Sequence, residues 1–337
     1  DVCSSDLSDR KNYLFNTKIK NIEESDLIIL IGTNPRFEAT ILNSRIRKAF
    51  INNKTAIFST NDVGDLTYPY KFIKGDTETI KNISENNHDL SEKIKNSAKP
   101  LIILGQSSLL LKSFGYIFES LKTFLVKNNK ISDEWNSLNI MSNDASTVGS
   151  IDLGIYKNSN NGNEVLKNLQ NNIYEVVYLI GVDNLNFDKK KEFVIYQGSH
   201  GDKGADLADI ILPGAAFTEQ DGHYTNLEGV IQKAYKASYP PGEAKEDWLI
   251  INELSNYLSA KNIYETKESL EKSMLNYLNL HNSKVSTSNK INNNFVKEKI
   301  IIKDIDYYYS NAIARASKTM SECKNEKINL KSTGTEE

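Results

Sequence analysis

Short aliphatic runs that end at a glycine constrain the fold of this chain more than any other feature. The clearest examples are Leu27–Gly32, Leu101–Gly105 and Val176–Gly181. Continuous apolar runs of this length are typical of strands that are buried on both faces of a parallel sheet. Three further strands are predicted at Thr55–Phe58, Phe193–Tyr196 and Ile210–Leu212.

Amphipathic stretches separate these strands. Asn34 can cap a helix and Pro35 suits its first turn. The face predicted to be apolar carries Phe37, Ile41, Leu42, Ile46 and Phe50. Alternation of strands and helices predicts an α/β fold with two Rossmann-like, doubly wound parallel-sheet layers. A polar, partly helical C-terminal extension is expected to follow them.

The predicted domain organisation has four parts. Residues 1–7 resemble the translated end of a sequencing adaptor, so we expect them to be non-native, the natural protein to continue upstream, and Cys3 to carry no chemistry. Residues 8–97 form a first α/β region and 98–259 a second, whose strands begin at Pro100. Residues 260–337 form the extension, in which 260–300 is interpreted as a loose linker and 306–318 as a short helix.

Composition excludes several classes of function. The chain has 41 basic and 44 acidic residues, a net charge of −3, which does not favour nucleic-acid binding. Two cysteines cannot hold an iron–sulfur cluster, which needs about four thiolates, or a cysteine-rich zinc site. Since apolar runs fall far short of the roughly 18 residues that span a membrane, direct membrane insertion is not expected.

Two glycine-bearing turns are candidate ligand sites. Gly32, Asn34 and Arg36 lie where a strand meets a helix N-terminus, a place that favours anions. The alternative is a capped turn without a ligand, and the segment lacks the G-x-G-x-x-G pattern of a dinucleotide site. Gly198 and Gly204 flank His200 in a loop that is either a ligand loop or a tight interdomain loop. His200 lacks a ligand partner at metal-site spacing, so we predict neither a metal site nor a catalytic residue.

Residues 208–232 carry a longer pattern. Ala-Asp-Ile-Ile-Leu-Pro at 208–213 leads to Glu219–Gly222, and then to Asn-Leu-Glu-Gly-Val-Ile-Gln at 226–232. This run resembles the signature of the molybdopterin oxidoreductase superfamily, A-D-x-x-L-P, E-x-x-G and N-x-E-G-R-x-Q. The signature arginine is Val230 here, so Asn226, Glu228 and Gln232 are expected to hydrogen-bond the turn rather than hold a ligand.

Other segments narrow the resemblance to the G subunit of respiratory complex I, its large 75-kDa-type peripheral-arm subunit, in the alphaproteobacterial and mitochondrial form. The resemblance extends from residue 8 to about 323 and depends on Asn34–Ala39, Asn43–Lys48, Asp65–Tyr68, Val148–Gly154, Tyr196–Asp202, Glu246–Trp248 and Asn311–Met320.

This resemblance implies a structural part of NADH:quinone oxidoreductase. The parent subunit is expected to carry [4Fe-4S] and [2Fe-2S] clusters in a missing N-terminal region, and this fragment to hold neither a redox centre nor molybdopterin. The implied partners are other hydrophilic-arm subunits of complex I. The implied location is the cytoplasmic face of the bacterial inner membrane, or the matrix side in a mitochondrion.

Two other interpretations stay open at this point. One is a fragment of an active molybdopterin oxidoreductase, such as a formate dehydrogenase or nitrate reductase, which the pattern at 208–232 permits. The other is a generic two-layer α/β binding protein, which explains the strands but not the motifs.

Overall fold

A computed structural model describes Leu7 and residues 9–155, 162–185, 187–282, 294–303 and 305–333. Except for Leu7, the residues predicted to be non-native lie outside the described part. Two compact units share the chain. The first comprises Asp1–Asn158, Tyr224–Gln232 and Tyr277–Asp304, and the second Ser159–His223, Lys233–Asn276 and Ile305–Glu337. The domain boundaries predicted at 97/98 and 259/260 stay a prediction.

Ten strands are described. They are β1 (Leu27–Ile31), β2 (Ala56–Ser59), β3 (Lys71–Phe72), β4 (Pro100–Gly105), β5 (Leu138–Met141), β6 (Val176–Ile180), β7 (Phe193–Gly198), β8 (Ile210–Pro213), β9 (Gly222–Thr225) and β10 (Ile231–Ala234).

The helices include two short 3-10 turns, Arg10–Asn12 and Ile19–Glu24. The α-helices are α1 (Pro35–Glu38), α2 (Thr40–Asn53), α3 (Thr77–Ser84), α4 (Asp89–Asn96), α5 (Gln106–Leu109), α6 (Phe114–Lys127), α7 (Thr147–Asp152), α8 (Gly162–Gln170), α9 (Lys203–Asp206), α10 (Asp247–Ser259), α11 (Lys267–Asn282), α12 (Ala312–Ala316) and α13 (Lys318–Thr333).

The first unit contains a five-stranded parallel sheet in the order β3-β2-β1-β4-β5. Alternate residues of β1 enter two different cores. Ile29 packs with α3, α4 and α6 on one face, and Ile28 packs with α2 on the other. Helices therefore cover both faces, which explains why β1 is apolar at every position. The predicted α/β class with parallel, doubly wound strands is confirmed.

Two details of the first sheet differ from the prediction. β4 pairs with β1, so the strand expected to begin a second layer at Pro100 extends the first sheet instead. β5 was not predicted, because Leu138–Met141 is short and includes the polar Asn139. Asn139 is nevertheless buried, where its side-chain oxygen accepts from the amide of Thr17 at 2.7 Å.

The apolar face predicted for residues 37–50 is wrong in part. Asn34 caps α1 as expected, but the backbone leaves helical geometry at Ala39, where φ is −151°. This break changes the phase of the pattern. Phe37 and Ile41 are 58% and 74% exposed, while α2 buries Leu42, Asn43, Ile46 and Ala49.

The second unit contains the parallel sheet β6-β7-β8. Its core joins Leu179, Val194 and Tyr196 to Leu169 of α8 and Phe187 of the β6–β7 connection. Strands β9 and β10 pair with each other in a separate two-stranded sheet, and the residues that join them, within Tyr224–Gln232, belong to the first unit.

The C-terminal part of the chain is more ordered than predicted. Part of the expected linker is helical, since α11 covers Lys267–Asn282. Residues 294–303, which we call the strap, make backbone hydrogen bonds to the first sheet's loops and bury Ile300. The predicted helix at 306–318 begins only at Ala312. Within α10 the buried residue is Ile250, and Leu258 is 79% exposed.

Candidate functional site

The strand order of the first sheet marks one place for a ligand. The order reverses between β1 and β4, so connections leave these two neighbouring strands in opposite directions. Ligands of open α/β sheets bind at such a point, beyond the carboxyl ends of the strands. Gly32 follows β1 and Gly105 ends β4, so the candidate site begins between these two residues.

Protein atoms close this crevice. Gly32 has a φ of +61°, and a Cβ there would lie 2.7 Å from the backbone nitrogen of Ser108. A Cβ on Gly105 would lie 2.3 Å from the Cβ of Thr33. Because the loops after β1 and β4 touch directly, only a glycine fits at position 32. The same contact leaves no space for a phosphate between the two loops.

The strap crosses the same carboxyl edge. Ile300 is buried, and its Cγ2 would lie 3.2 Å from a Cβ on Gly32. Its amide donates to the Gly75 carbonyl at 2.9 Å, and its carbonyl accepts from Asn61 Nδ2 at 2.8 Å. The Lys303 amide donates to Ser107 Oγ at 2.9 Å. The strap therefore occupies the space above β1, β2 and β4.

The other two candidates beside Gly32 are Asn34 and Arg36. Both side chains are hydrogen-bonded to protein groups of the nearby loops. Asn34 Oδ1 accepts from the Arg36 amide at 3.2 Å, and the Arg36 guanidinium binds the carboxylate and carbonyl of Asp65. Glu38 accepts from the Asn34 amide at 2.8 Å and from Thr33 Oγ1 at 3.1 Å. Burial raises the pKa of Glu38 above its ordinary value, against these hydrogen bonds.

Asn143 offers the strongest opening for a small ligand at this edge. Its Oδ1 atom is buried with no partner among the described residues. A single acceptor of this kind needs no more than one water molecule, whereas a cofactor pocket presents several convergent polar groups.

The second unit places Gly198, His200 and Gly204 around Tyr196. The Tyr196 hydroxyl donates to the His200 carbonyl at 2.7 Å. A Cβ on Gly198 would lie 2.3 Å from that hydroxyl, and a Cβ on Gly204 would lie 2.5 Å from the carbonyl of Val182. These glycines allow close packing around a tyrosine, and the His200 ring hydrogen-bonds to Ser199 Oγ at 2.9 Å.

Arg315 closes the carboxyl edge of the second sheet. Its guanidinium binds Asp183, which follows β6, and donates from Nε to Asp202, which follows β7, at 2.7 Å. The Lys203 amide and the Arg315 guanidinium together hold the pKa of Asp202 below its ordinary value. One cation with two carboxylates thus fills the edge at which a ligand of this sheet would bind.

Comparison with known proteins identifies the family. The family model for molybdopterin oxidoreductase matches residues 1–257. The chain belongs to the molybdopterin oxidoreductase family. A second model, for the C-terminal region of the NADH-ubiquinone oxidoreductase G subunit, matches residues 269–323, so the resemblance to that subunit is confirmed.

The similar proteins are complex I subunits. The NADH-ubiquinone oxidoreductase 75 kDa subunit of Reclinomonas americana is 38% identical over 93% of this chain and 47% of its own length. The NADH-quinone oxidoreductase G subunit of Rickettsia bellii is 36% identical over 98% of this chain and 48% of its own length. The 78 kDa mitochondrial subunit of Candida albicans is 35% identical over 93% of this chain. The chain therefore spans about half the length of these relatives.

The signature turn of this molybdopterin oxidoreductase family member has protein partners. Asn226 Oδ1 accepts from the amides of Glu228 and Val230, at 3.0 and 2.9 Å, as predicted. The Glu228 carboxylate instead accepts from the Ile19 amide, so its predicted role in the turn itself is wrong. Val230 is exposed, and no described hydrogen bond involves the side chain of Gln232.

Sequence reasoning missed an ion pair that anchors this turn. Arg10 donates to both oxygens of the buried Asp152, at 2.9 and 2.7 Å, and to the Gly229 carbonyl at 2.7 Å. Tyr13 also donates to Asp152, at 2.7 Å. The Val148–Gly154 segment, which contributes to the complex I resemblance, contains Asp152, but the sequence did not indicate its partners.

Two findings concern the described residues only. Their His, Cys, Asp and Glu side chains form no group of three or more that is suited to a metal ion. Among the helices described, none is both long and apolar enough to cross a membrane.

Proposed function

We propose that this chain is the C-terminal structural body of a complex I G subunit and contains no redox centre. In this role it supports electron transfer from NADH to quinone by the hydrophilic arm of the complex. The observation that carries the proposal is that the protein's own side chains occupy the carboxyl edges of both sheets. The strap and Arg315, which fill these edges, both lie within the 269–323 match to the G-subunit model.

The number of cysteines supports a fragment without iron–sulfur clusters. The sequence has two cysteines, and an iron–sulfur cluster needs about four thiolates. The [4Fe-4S] and [2Fe-2S] clusters that we propose for the parent subunit would therefore be bound by polypeptide outside this sequence.

The residues present do not fit molybdopterin. Val230 replaces the signature arginine, which removes a bidentate partner for a phosphate. Asn226 and Glu228 are already bonded to backbone amides, and Gly32 contacts the Ser108 loop. A pterin could bind at the signature turn or beside Gly32 only if these hydrogen bonds and this loop contact were broken first.

The proposed partners are the other hydrophilic-arm subunits of complex I. The proposed location is the cytoplasmic face of a bacterial inner membrane, or the matrix side in a mitochondrion. Relatives of both kinds, bacterial and mitochondrial, support this pair of alternatives.

Metal analysis and turnover test the proposal. The purified chain should contain iron, molybdenum and tungsten only at trace levels and should not oxidise NADH. The complete subunit should contain iron but neither molybdenum nor tungsten. Stoichiometric iron or NADH turnover in the chain alone would refute the proposal. Molybdenum or tungsten in the complete protein would favour the alternative, an active enzyme of the formate dehydrogenase or nitrate reductase type.

A further inference from the structure

The C-terminal residues of the second unit form a segment that we call the arm, residues 305–333, which contains α12 and α13. Burial is described for 305–329, and no residue in that range is buried. Ile328, an apolar side chain of α13, is 55% exposed. Helices in proteins owe most of their stability to the packing of an apolar face, so α12 and α13 gain little stability from the described part of the chain.

Arg315 provides the bonds that hold the arm to the second sheet. Its guanidinium binds Asp183 and donates from Nε to Asp202, and these two carboxylate side chains are 13% and 24% exposed. Among residues 305–328, every hydrogen bond and ion pair that reaches another part of the described second unit comes from Arg315. The arm is therefore attached through one partly exposed side chain.

The arm also has contacts of its own. Lys324 of α13 pairs with Asp306 at 2.5 Å, and its Nζ lies 4.0 Å from the centroid of the Tyr309 ring. The Arg315 guanidinium donates to the Tyr309 carbonyl at 3.3 Å. These contacts join both helices to the residues before them, so the arm can leave the sheet without breaking them.

The strap provides an internal comparison, because it closes the carboxyl edge of the first sheet. Its Ile300 is buried and is hydrogen-bonded through both its amide and its carbonyl. Its Glu298 accepts from the Thr77 amide through the carbonyl at 3.0 Å, and from Ser113 Oγ through Oε1 at 3.1 Å. Removing the strap therefore exposes part of a core, whereas removing the arm breaks the ion pairs of a single guanidinium.

We propose that the arm is a releasable latch on the second sheet. When the two ion pairs of Arg315 open, the arm leaves the carboxyl edge of β6 and β7 as one body, while the sheet stays folded. Release uncovers Asp183 and Asp202, so this edge is closed only while Arg315 is bound. The edge of the first sheet stays closed as long as the first unit is folded, because the strap is part of its core.

Hydrogen exchange of the complete subunit, read peptide by peptide in a mass spectrometer, tests the proposal. In the unmodified protein, peptides that cover α12 should exchange at least about 100-fold faster than those that cover β7 or Ile300 of the strap. Arg315→Gln removes both charge-assisted contacts, so it should raise the exchange of α12 at least about tenfold further. The same substitution should change the exchange of β7 by less than about twofold, because the sheet does not open with the arm.

Lys189→Gln is the matched control. Lys189 also binds a carboxylate, that of Asp209, and a backbone carbonyl within the second unit, and its side chain is 24% exposed. This control should change the exchange of α12 by less than about twofold.

Four results would overturn the proposal. In the unmodified protein they are exchange of α12 as slow as that of β7, which would mean that the arm and the sheet open together, and complete lack of protection in α12, which would mean that the arm is not bound. In the variants they are equal effects of Arg315→Gln and Lys189→Gln on α12, and equal acceleration of α12 and β7 by Arg315→Gln.

Discussion

Replacing Arg10 by methionine tests whether a buried ion pair holds the signature turn in place. The guanidinium binds both oxygens of Asp152 and the carbonyl of Gly229. The Asp152 side chain is 1% exposed. Arg10→Met therefore leaves a buried carboxylate without its cation, and a backbone carbonyl without its donor, while the methionine retains most of the apolar stem.

The expected loss in the free energy of unfolding follows from the burial of the ion pair. Removing one partner of a buried ion pair costs about 3–5 kcal/mol. The Arg10 side chain is 30% exposed, so water can reach part of the vacated space. We therefore expect the lower end, a loss of about 3 kcal/mol in the free energy of unfolding of the first unit. With a slope of about 2 kcal/mol per molar urea, the unfolding midpoint falls by about 1.5 M.

Tryptophan fluorescence can follow the first unit alone. The chain has two tryptophans, Trp135 in the first unit and Trp248 in the second. In a Trp248→Phe background, the emission of Trp135 reports urea unfolding of the first unit.

Arg36→Met is the matched control for this measurement. Arg36 also binds a carboxylate and a backbone carbonyl, but its pair with Asp65 is 42% and 71% exposed. The control should lose about 0–1 kcal/mol. Equal losses for Arg10→Met and Arg36→Met would show that burial of Asp152 does not determine the cost.

Three further substitutions, two of them with a matched control, test the carboxyl edge of the first sheet. Gly32→Ala combines a φ of +61° with a Cβ 2.7 Å from a backbone nitrogen, so it should cost at least about 2 kcal/mol in urea unfolding. Gly64→Ala, with a φ of +71° but open space around it, should cost about 1 kcal/mol, and equal costs would contradict the loop contact. Ile300→Ala should lower the local stability of the strap by about 2–4 kcal/mol in hydrogen exchange. Ile301→Ala, at a neighbour that is 74% exposed, should change it by less than about 0.5 kcal/mol. Because burial raises the pKa of Glu38, the folded state binds its proton more tightly than the unfolded state. Stability relative to Glu38→Gln should therefore fall as pH rises from the ordinary value of 4.5 through the raised pKa, and a difference independent of pH would contradict this.

The sequence predicted which segments form strands better than it predicted which residues those segments and the helices pack against. Six predicted strands are present, because continuous aliphatic runs have few alternatives to a buried strand. The face of α2 was misassigned because a single backbone break at Ala39 changes the phase of a helical pattern without a clear sequence signal. The pairing of β4 with β1 was not predicted, because a strand's sequence does not specify which neighbour it pairs with.

The sequence predicted where the candidate glycines lie on the two sheets, but not which side chains fill the edges beside them. Gly32 and Gly198 do lie at the carboxyl ends of β1 and β7, as their position after aliphatic runs implied. What fills each edge comes from far along the chain, Ile300 in one unit and Arg315 in the other. Both belong to polar stretches with weak local patterns, so only the folded structure indicates their partners.

The position of these two contacts is what the proposed function requires of a structural subunit in an enzyme family. A fold with open carboxyl edges binds ligands there whenever the loops leave space. In this chain the segment matched by the G-subunit model supplies a buried isoleucine to one edge and an arginine between two aspartates to the other. Each contact places protein atoms at the edge where a ligand of such a sheet would bind. Closure of an edge and stabilisation thus have the same origin, because every group that fills a crevice also ties the C-terminal region to its sheet.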